Sequence, residues 1–265
     1  MTEADLVDAL LRARDHRHTT QPPTLRASGF DLRKAYRVGA ALDRRLIERG
    51  YRRAGWKVGF TNRLIWPRFG LTQPIVGPVY DRTVRMADSL AELSLAPFHS
   101  PRIEVEVVFG IEQQEDGTRD WSRPNWMALG FEIVDCHYPG WHLTPADSVA
   151  DFALHGALVV GPRVNRAAPG FEQRIGALGR LEVRLLRNGK PAARGCASDV
   201  LGSPLAALET VPGLMHWFEG LAPESPIVVS TGTMTELAPL APGERWRVEV
   251  VGGVDLPGLE LTLGA

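Results

Sequence analysis

Apolar residues first recur at helical spacing. Leu6, Leu10 and Leu11 form a short stripe behind Thr2 and Asp5, which are placed as a capping box. A polar stretch with Pro22 and Pro23 follows. Asp31 then stands as the cap of a second helix through Tyr36, Leu42, Leu46 and Ile47, stopped by Gly50. From residue 55 the pattern changes. Trp56-Lys57-Val58-Gly59-Phe60 reads as a short strand, and Asn62 is placed to cap a helical turn ending near Gly70. Ile103, Val105, Val107 and Phe109 alternate with Arg102, Glu104 and Glu106, a period of two. Phe131–Val134 and Ala157–Val160 are further strands. Thr144-Pro145 opens a helix expected to run to Gly156. Leu181–Leu186 leads into Asn188-Gly189, a strong hairpin signal, and Ser203-Pro204 opens another helix. Ile227–Ser230, Trp246–Val251 and Leu259–Leu263 close the chain as strands.

Helices followed by a strand-rich body with interrupting helices predict an α+β fold with a mixed or antiparallel sheet, not regular βαβ alternation. Residues 1–54 are expected as an N-terminal helical region and 55–265 as the β body.

Composition narrows the class. Thirty Lys and Arg against 31 Asp and Glu leave a net charge of −1, without the basic footprint of a nucleic-acid binder. Two cysteines, Cys136 and Cys196, make neither a disulfide framework nor a four-ligand zinc site. With no basic-headed apolar leader and no apolar run of about 18–20 residues, a cytoplasmic protein without membrane contact is expected.

The candidate chemistry lies on the strands. Glu104 and Glu106, two apart, share one face while their odd-numbered neighbours pack on a core. That acidic face is solvated, paired with a cation, or bound to a metal. Glu132 stands alone between Phe131 and Ile133, where burial needs compensation. If the three converge, an all-oxygen donor set suits Mg²⁺ or Mn²⁺. Lys57, between Trp56 and Val58, is either a snorkelling surface lysine or a desolvated cation for a substrate carboxylate. His155 follows Asp151 by four residues, so on a helix the two would pair; a cap and a general acid/base are both open. Thr231-Gly232-Thr233 offers hydroxyl and N–H donors after an apolar strand. No phosphate-binding glycine loop, serine elbow or zinc-protease motif occurs.

Taken together, Gly55-Trp56-Lys57-Val58-Gly59-Phe60-Thr61-Asn62, Pro101-Arg102-Ile103-Glu104-Val105-Glu106, Phe131-Glu132-Ile133-Val134-Asp135, Asp147-Ser148-Val149-Ala150-Asp151, Thr231-Gly232-Thr233 and Pro242-Gly243 resemble the fumarylacetoacetate hydrolase superfamily. The branch they resemble is that of 2-keto-4-pentenoate hydratases and 2-oxo-3-hexenedioate decarboxylases. The resemblance implies a mixed β-roll with a β-sandwich-like core. It implies Mg²⁺ or Mn²⁺ on Glu104, Glu106 and Glu132, with Lys57 in the active site and Thr233 on the substrate carboxylate. A hydratase-like lyase acting on a small 2-oxo or 2-hydroxydienoic acid through a metal-stabilised enolate is the leading expectation, in aromatic catabolism. A decarboxylase, an acylpyruvate C–C hydrolase and a silent ligand- or partner-binding member are the alternatives. A homo-oligomer, with association to a pathway enzyme, is also implied. Ile75 departs from the pattern, because hydratases of this branch carry an acid at its place. His155, backed by Asp151, is the expected substitute. His16 and His18 stand in the wrong context for the Glu-His pair of the hydrolases.

Overall fold

The computed structural model describes residues 2–218 and 226–265. Its helices are α1 (Glu3–His16), α2 (Pro23–Arg26), α3 (Leu32–Glu48), α4 (Trp66–Phe69), α5 (Pro145–Ala150), α6 (Phe171–Ala177) and α7 (Pro204–Leu214). The strands are β1 (Arg53–Gly59), β2 (Ile75–Tyr80), β3 (Val84–Met86), β4 (Leu90–Ser94), β5 (Pro101–Ile111), β6 (Trp126–Asp135), β7 (His155–Val160), β8 (Val164–Asn165), β9 (Glu182–Arg187), β10 (Lys190–Cys196), β11 (Ile227–Ser230), β12 (Ala238–Pro239), β13 (Arg245–Gly252) and β14 (Leu259–Gly264).

Two mixed sheets form. The larger runs β2-β1-β11-β5-β6-β7-β3, with β12 beside β5 and β8 beside β6. Its two end strands, β2 and β3, are consecutive in the chain and joined only by the 3₁₀ turn Asp81–Thr83, so the sheet rolls back on itself. The smaller runs β10-β9-β13-β14-β4. Ile103, Val105, Val107, Phe131 and Ile133 of the large sheet share one apolar core with Val183, Leu185, Trp246, Val248 and Leu261 of the small one. Leu6, Leu10, Tyr36 and Leu42 from α1 and α3 belong to that same core. Inside the roll, Val108, Ala128, Leu158, Val160 and Val228 make a second, smaller cluster. This is the expected α+β architecture with curled sheets and N-terminal helices.

Local signals set most boundaries. Asp5 N donates to Thr2 Oγ1 and Thr2 N to Asp5 Oδ2, the reciprocal box expected of α1. Asp31 caps α3 through Lys34 N, and Asn62 accepts from Leu64 N. Asn188 and Gly189 both have positive φ, as a two-residue hairpin turn between β9 and β10 requires.

The helix opened by Thr144 is shorter than its sequence suggests. It ends at Ala150, and Phe152, Ala153 and Leu154 follow at φ 55°, 54° and 65°. His155 and Gly156 are therefore the first residues of β7, not a helix end. The side chain of His155 leaves Asp151 behind. Asp151 pairs instead with Arg14 and His137, so the expected Asp151–His155 contact does not form.

Candidate metal centre and active site

The centre is built by strand register. Glu104 on β5 lies directly opposite Glu132 on β6, and Glu106 lies opposite Gly130. Alternation puts residues 104 and 106 on one face, and cross-strand partners point the same way. All three side chains enter the roll, and one oxygen from each lies within 4.8 Å of the others. Glu106 and Glu132 are fully buried, and Glu104 is 7% exposed. Like charges directly opposite are unfavourable, so the cluster needs compensation.

Part of that compensation is visible. Lys57 Nζ, on β1, lies 3.1 Å from Glu132 Oε2 and donates to the Ala153 carbonyl at 3.0 Å. Burial works against the ammonium, but Glu132, Glu104 and Glu106 outweigh it and lift its pKa above the usual lysine value. Lys57 is thus a buried cation and not a snorkelling surface residue. Glu106 Oε2 accepts from Ser230 Oγ and, at 2.8 Å, from Gly232 N. Gly232 holds φ +100°, and a Cβ there would fall 2.1 Å from Thr61 Oγ1, so only glycine brings that N–H to the carboxylate.

The compensation is incomplete. Glu106 Oε1 is buried without a hydrogen-bond partner. Burial, with the neighbouring carboxylates adding to it and Lys57 opposing, pushes the Glu104 and Glu106 carboxyls up to about 8. The cluster therefore holds protons near neutrality where a cation would relieve it. An all-oxygen set of three carboxylates with an orphaned buried oxygen fits a hard divalent ion such as Mg²⁺ or Mn²⁺.

His155 backs this centre from the far side. Its Nδ1 lies 2.9 Å from Glu132 Oε1 and its Nε2 2.8 Å from Thr83 Oγ1. Burial, reinforced by the charges of Lys57 and Arg14, holds its pKa well below the usual histidine value. A neutral ring donates from Nδ1 to Glu132, with Nε2 set beside the Thr83 hydroxyl. At 1% exposure it does not face the cavity. The geometry makes His155 an orienting partner of Glu132 and leaves it no route to substrate.

In front of the carboxylates lies a cavity of about 280 Å³. Glu104, Glu106 and Lys57 form its polar floor, and Thr233 and Gly232 stand beside them. Its walls include Phe60, Ile65, Phe69, Ile75, Leu143 and Leu154. Ile75 is 1% exposed and faces this cavity, where it offers neither proton nor charge. Four wall residues, Phe60, Trp141, Ala153 and Leu154, have positive φ, a conformation that costs a non-glycine residue about 1–2 kcal/mol. Strain gathered round one cavity marks a shape imposed by its surroundings. A larger, shallower depression of about 840 Å³ lies on the small sheet near Arg247 and Gly253, far from this chemistry.

No family model matches the chain. It is 27% identical over 252 residues to a 2-hydroxyhexa-2,4-dienoate hydratase of Comamonas testosteroni, covering 93% of this chain and 91% of that protein. It is 27% identical over 223 residues to a 4-oxalocrotonate decarboxylase of a Pseudomonas species, covering 83% of each. Its relatives are named as hydratases and a decarboxylase. The fold agrees. A 4-oxalocrotonate decarboxylase from Pseudomonas putida G7, complexed with magnesium and adipate, superposes with a TM-score of 0.83 over 98% of this chain and 97% of that one, at 21% identity. A fumarylpyruvate hydrolase from Pseudomonas aeruginosa, in complex with Mn²⁺ and pyruvate, gives 0.52 over 79% and 88%, at 18% identity.

Sequence reasoning reached the three glutamates, Lys57 and Thr233; the structure brings the glutamates together and lines one cavity with Glu104, Glu106, Lys57 and Thr233, Glu132 standing behind. It missed Ser230, whose hydroxyl binds Glu106. The signal was present, since a serine ends the apolar run Ile227-Val228-Val229. It also missed Arg14, which reaches Asp151 and the His155 carbonyl from α1. A charge on a surface-patterned helix carries no sign of that contact.

Proposed function

We propose that the protein is a divalent-metal-dependent, hydratase-like lyase acting on a small 2-oxo or 2-hydroxydienoic acid. The observation that carries the reading is the convergence of Glu104, Glu106 and Glu132, with one oxygen of Glu106 unpartnered, where Glu104 and Glu106 floor a largely apolar cavity beside Lys57. The three carboxylates would hold Mg²⁺ or Mn²⁺. Such an ion, when bound, polarises the 2-oxo group and stabilises negative charge spreading to C3.

The chain's own residues supply the rest. Lys57 is fixed by Ala153 and Glu132, so its ammonium faces the cavity from a set position and can hold the substrate carboxylate or carry a proton. Thr233 Oγ1 donates to the Thr235 carbonyl, so its oxygen lone pairs and the neighbouring backbone line the same wall. Phe69, Ile75, Leu143 and Leu154 exclude water and suit an uncharged substrate tail. Among the described residues, Lys57 is the only cationic side chain in the cavity wall. A second substrate carboxylate finds no second cationic side chain in that wall.

Ile75 favours a second reading. With no acid there to activate water, a 2-oxo acid decarboxylation, which needs no added water, is supported as well. Mg²⁺ or Mn²⁺ as the resident ion, a cytoplasmic place in aromatic catabolism and a homo-oligomer complete the proposal. The relatives' named activities and the absence, among the described residues, of a helix able to cross a membrane are compatible with it.

The test is deuterium exchange at C3 of 2-oxobutyrate, followed by NMR. Exchange that needs Mg²⁺ and stops with chelator is expected. Thermal stabilisation by the same acid without exchange would leave only a binding protein.

A further inference from the structure

The turn Phe152–Leu154 is strained, lines the cavity and carries the carbonyl that holds Lys57. Three successive left-handed, non-glycine residues do not persist on local preference. One guanidinium touches both flanks of the turn. Arg14, on α1, pairs through Nη1 with Asp151 Oδ1 on one flank of the turn. On the other flank its Nη2 donates to the His155 carbonyl at 2.7 Å. Between the two, its Cζ stands 5.1 Å from the centre of the Phe152 ring.

Each contact is backed in turn. His137 Nδ1 lies 2.8 Å from the second oxygen of Asp151, so that carboxylate is fixed from two sides. Leu154 N donates to the Asp151 carbonyl at 2.8 Å and closes the turn. Gly77 on β2 admits the turn, because a Cβ there would sit 2.5 Å from the Phe152 carbonyl oxygen.

The packing of α1 does not require this arrangement. Its apolar stripe enters the core, and its exposed pairs with α3 run through Glu3–Arg37, Asp8–Arg45 and Asp15–Arg49. Arg14 instead turns inward, with its side chain 20% exposed and its carboxylate partner fully buried.

We infer that Arg14 is a positioning residue: from α1 it holds the left-handed turn Phe152–Leu154 in the shape that presents the Ala153 carbonyl to Lys57. This rests on the reading of Lys57 as the ammonium that faces substrate. Without Arg14 the turn relaxes, Lys57 keeps only Glu132, and its ammonium leaves the substrate position. Arg14 reaches the metal carboxylates only indirectly, through the His155 that pairs with Glu132, so ion affinity should fall far less than turnover.

The experiment compares wild type, Arg14→Gln and Arg14→Lys, with Arg37→Gln as the control for α1–α3 contacts. Three quantities are read: Mg²⁺ affinity by calorimetry, C3 exchange of 2-oxobutyrate at saturating Mg²⁺, and amide hydrogen exchange over residues 152–155. Arg14→Gln is expected to keep most of its Mg²⁺ affinity. It should lose turnover by about 10²-fold, the scale of a reacting group displaced by about 1 Å, with KM changed far less. Amide exchange at Leu154 should rise. Arg14→Lys, keeping the charge but unable to span both flanks, should fall between, and it serves as the test if Arg14→Gln does not fold. Wild-type turnover in folded Arg14→Gln or Arg14→Lys overturns the inference. So does a fall in Mg²⁺ affinity as large as the fall in turnover. Absence of exchange in wild type itself overturns the proposed function, and this inference with it.

Discussion

Glu104, Glu106 and Glu132 are held apart from water and close to each other, which is the least comfortable state for three carboxylates. The Lys57 ammonium and the donors on Glu106 offset part of that cost. The remainder appears as carboxyl pKa values of about 8 for Glu104 and Glu106. The sign of the consequence is fixed. Raised above their ordinary value of 4.5, these groups bind protons more tightly folded than unfolded. Their contribution is most favourable below about 4.5 and is lost as pH rises to about 8. Urea denaturation of the metal-free protein should therefore show this part of the stability falling from pH 5 to 8 and Mg²⁺ restoring it. Glu104→Gln should flatten that slope. It should also raise the metal-free midpoint by a few degrees, the scale of about 1 kcal/mol in a domain of this size. A pH profile identical in wild type and variant would refute the assignment.

The elements around these residues differ in how openly the sequence declares them. Period-two alternation marks β5, caps mark α1, α3 and α7, and Asn188-Gly189 marks the hairpin. Lys57 was legible as a candidate because a lysine between apolar strand positions is unusual. The meeting of Glu104 with Glu132 was not, since register between β5 and β6 is a property of pairing and not of either strand alone. α5 ends at Ala150, although Gly156 looks like a helix stop. The break comes at the left-handed residues before it, which are held by Arg14 from a distant helix. One glycine offers a direct check of element geometry. Gly232→Ala places a Cβ against Thr61 where the turn after β11 must donate to Glu106. We expect a loss of about 1–3 kcal/mol of stability, measured by urea denaturation, together with weakened Mg²⁺ binding. Wild-type values for both would show that the turn tolerates a side chain.

Across the whole molecule, the roll of the large sheet does two things at once. One face builds the core shared with the small sheet and the N-terminal helices, and the other encloses the carboxylates and cavity. Binding an ion there should stabilise the entire domain by mass action, about 2.7 kcal/mol at a hundredfold excess over Kd. The apolar end of the cavity predicts selectivity as well. In a thermal-shift series with Mg²⁺, 2-oxo acids with uncharged tails should stabilise the protein more than 2-oxo dicarboxylates. Ile75→Arg should reverse that order by supplying the missing cation.

The most direct measurement is a calorimetric titration of Mg²⁺ into wild type, Glu106→Gln and Glu132→Gln, with oxalate present as the two-oxygen ligand. The account predicts a single ion bound by wild type and none detectable in either folded variant. Equal binding by all three proteins would contradict it.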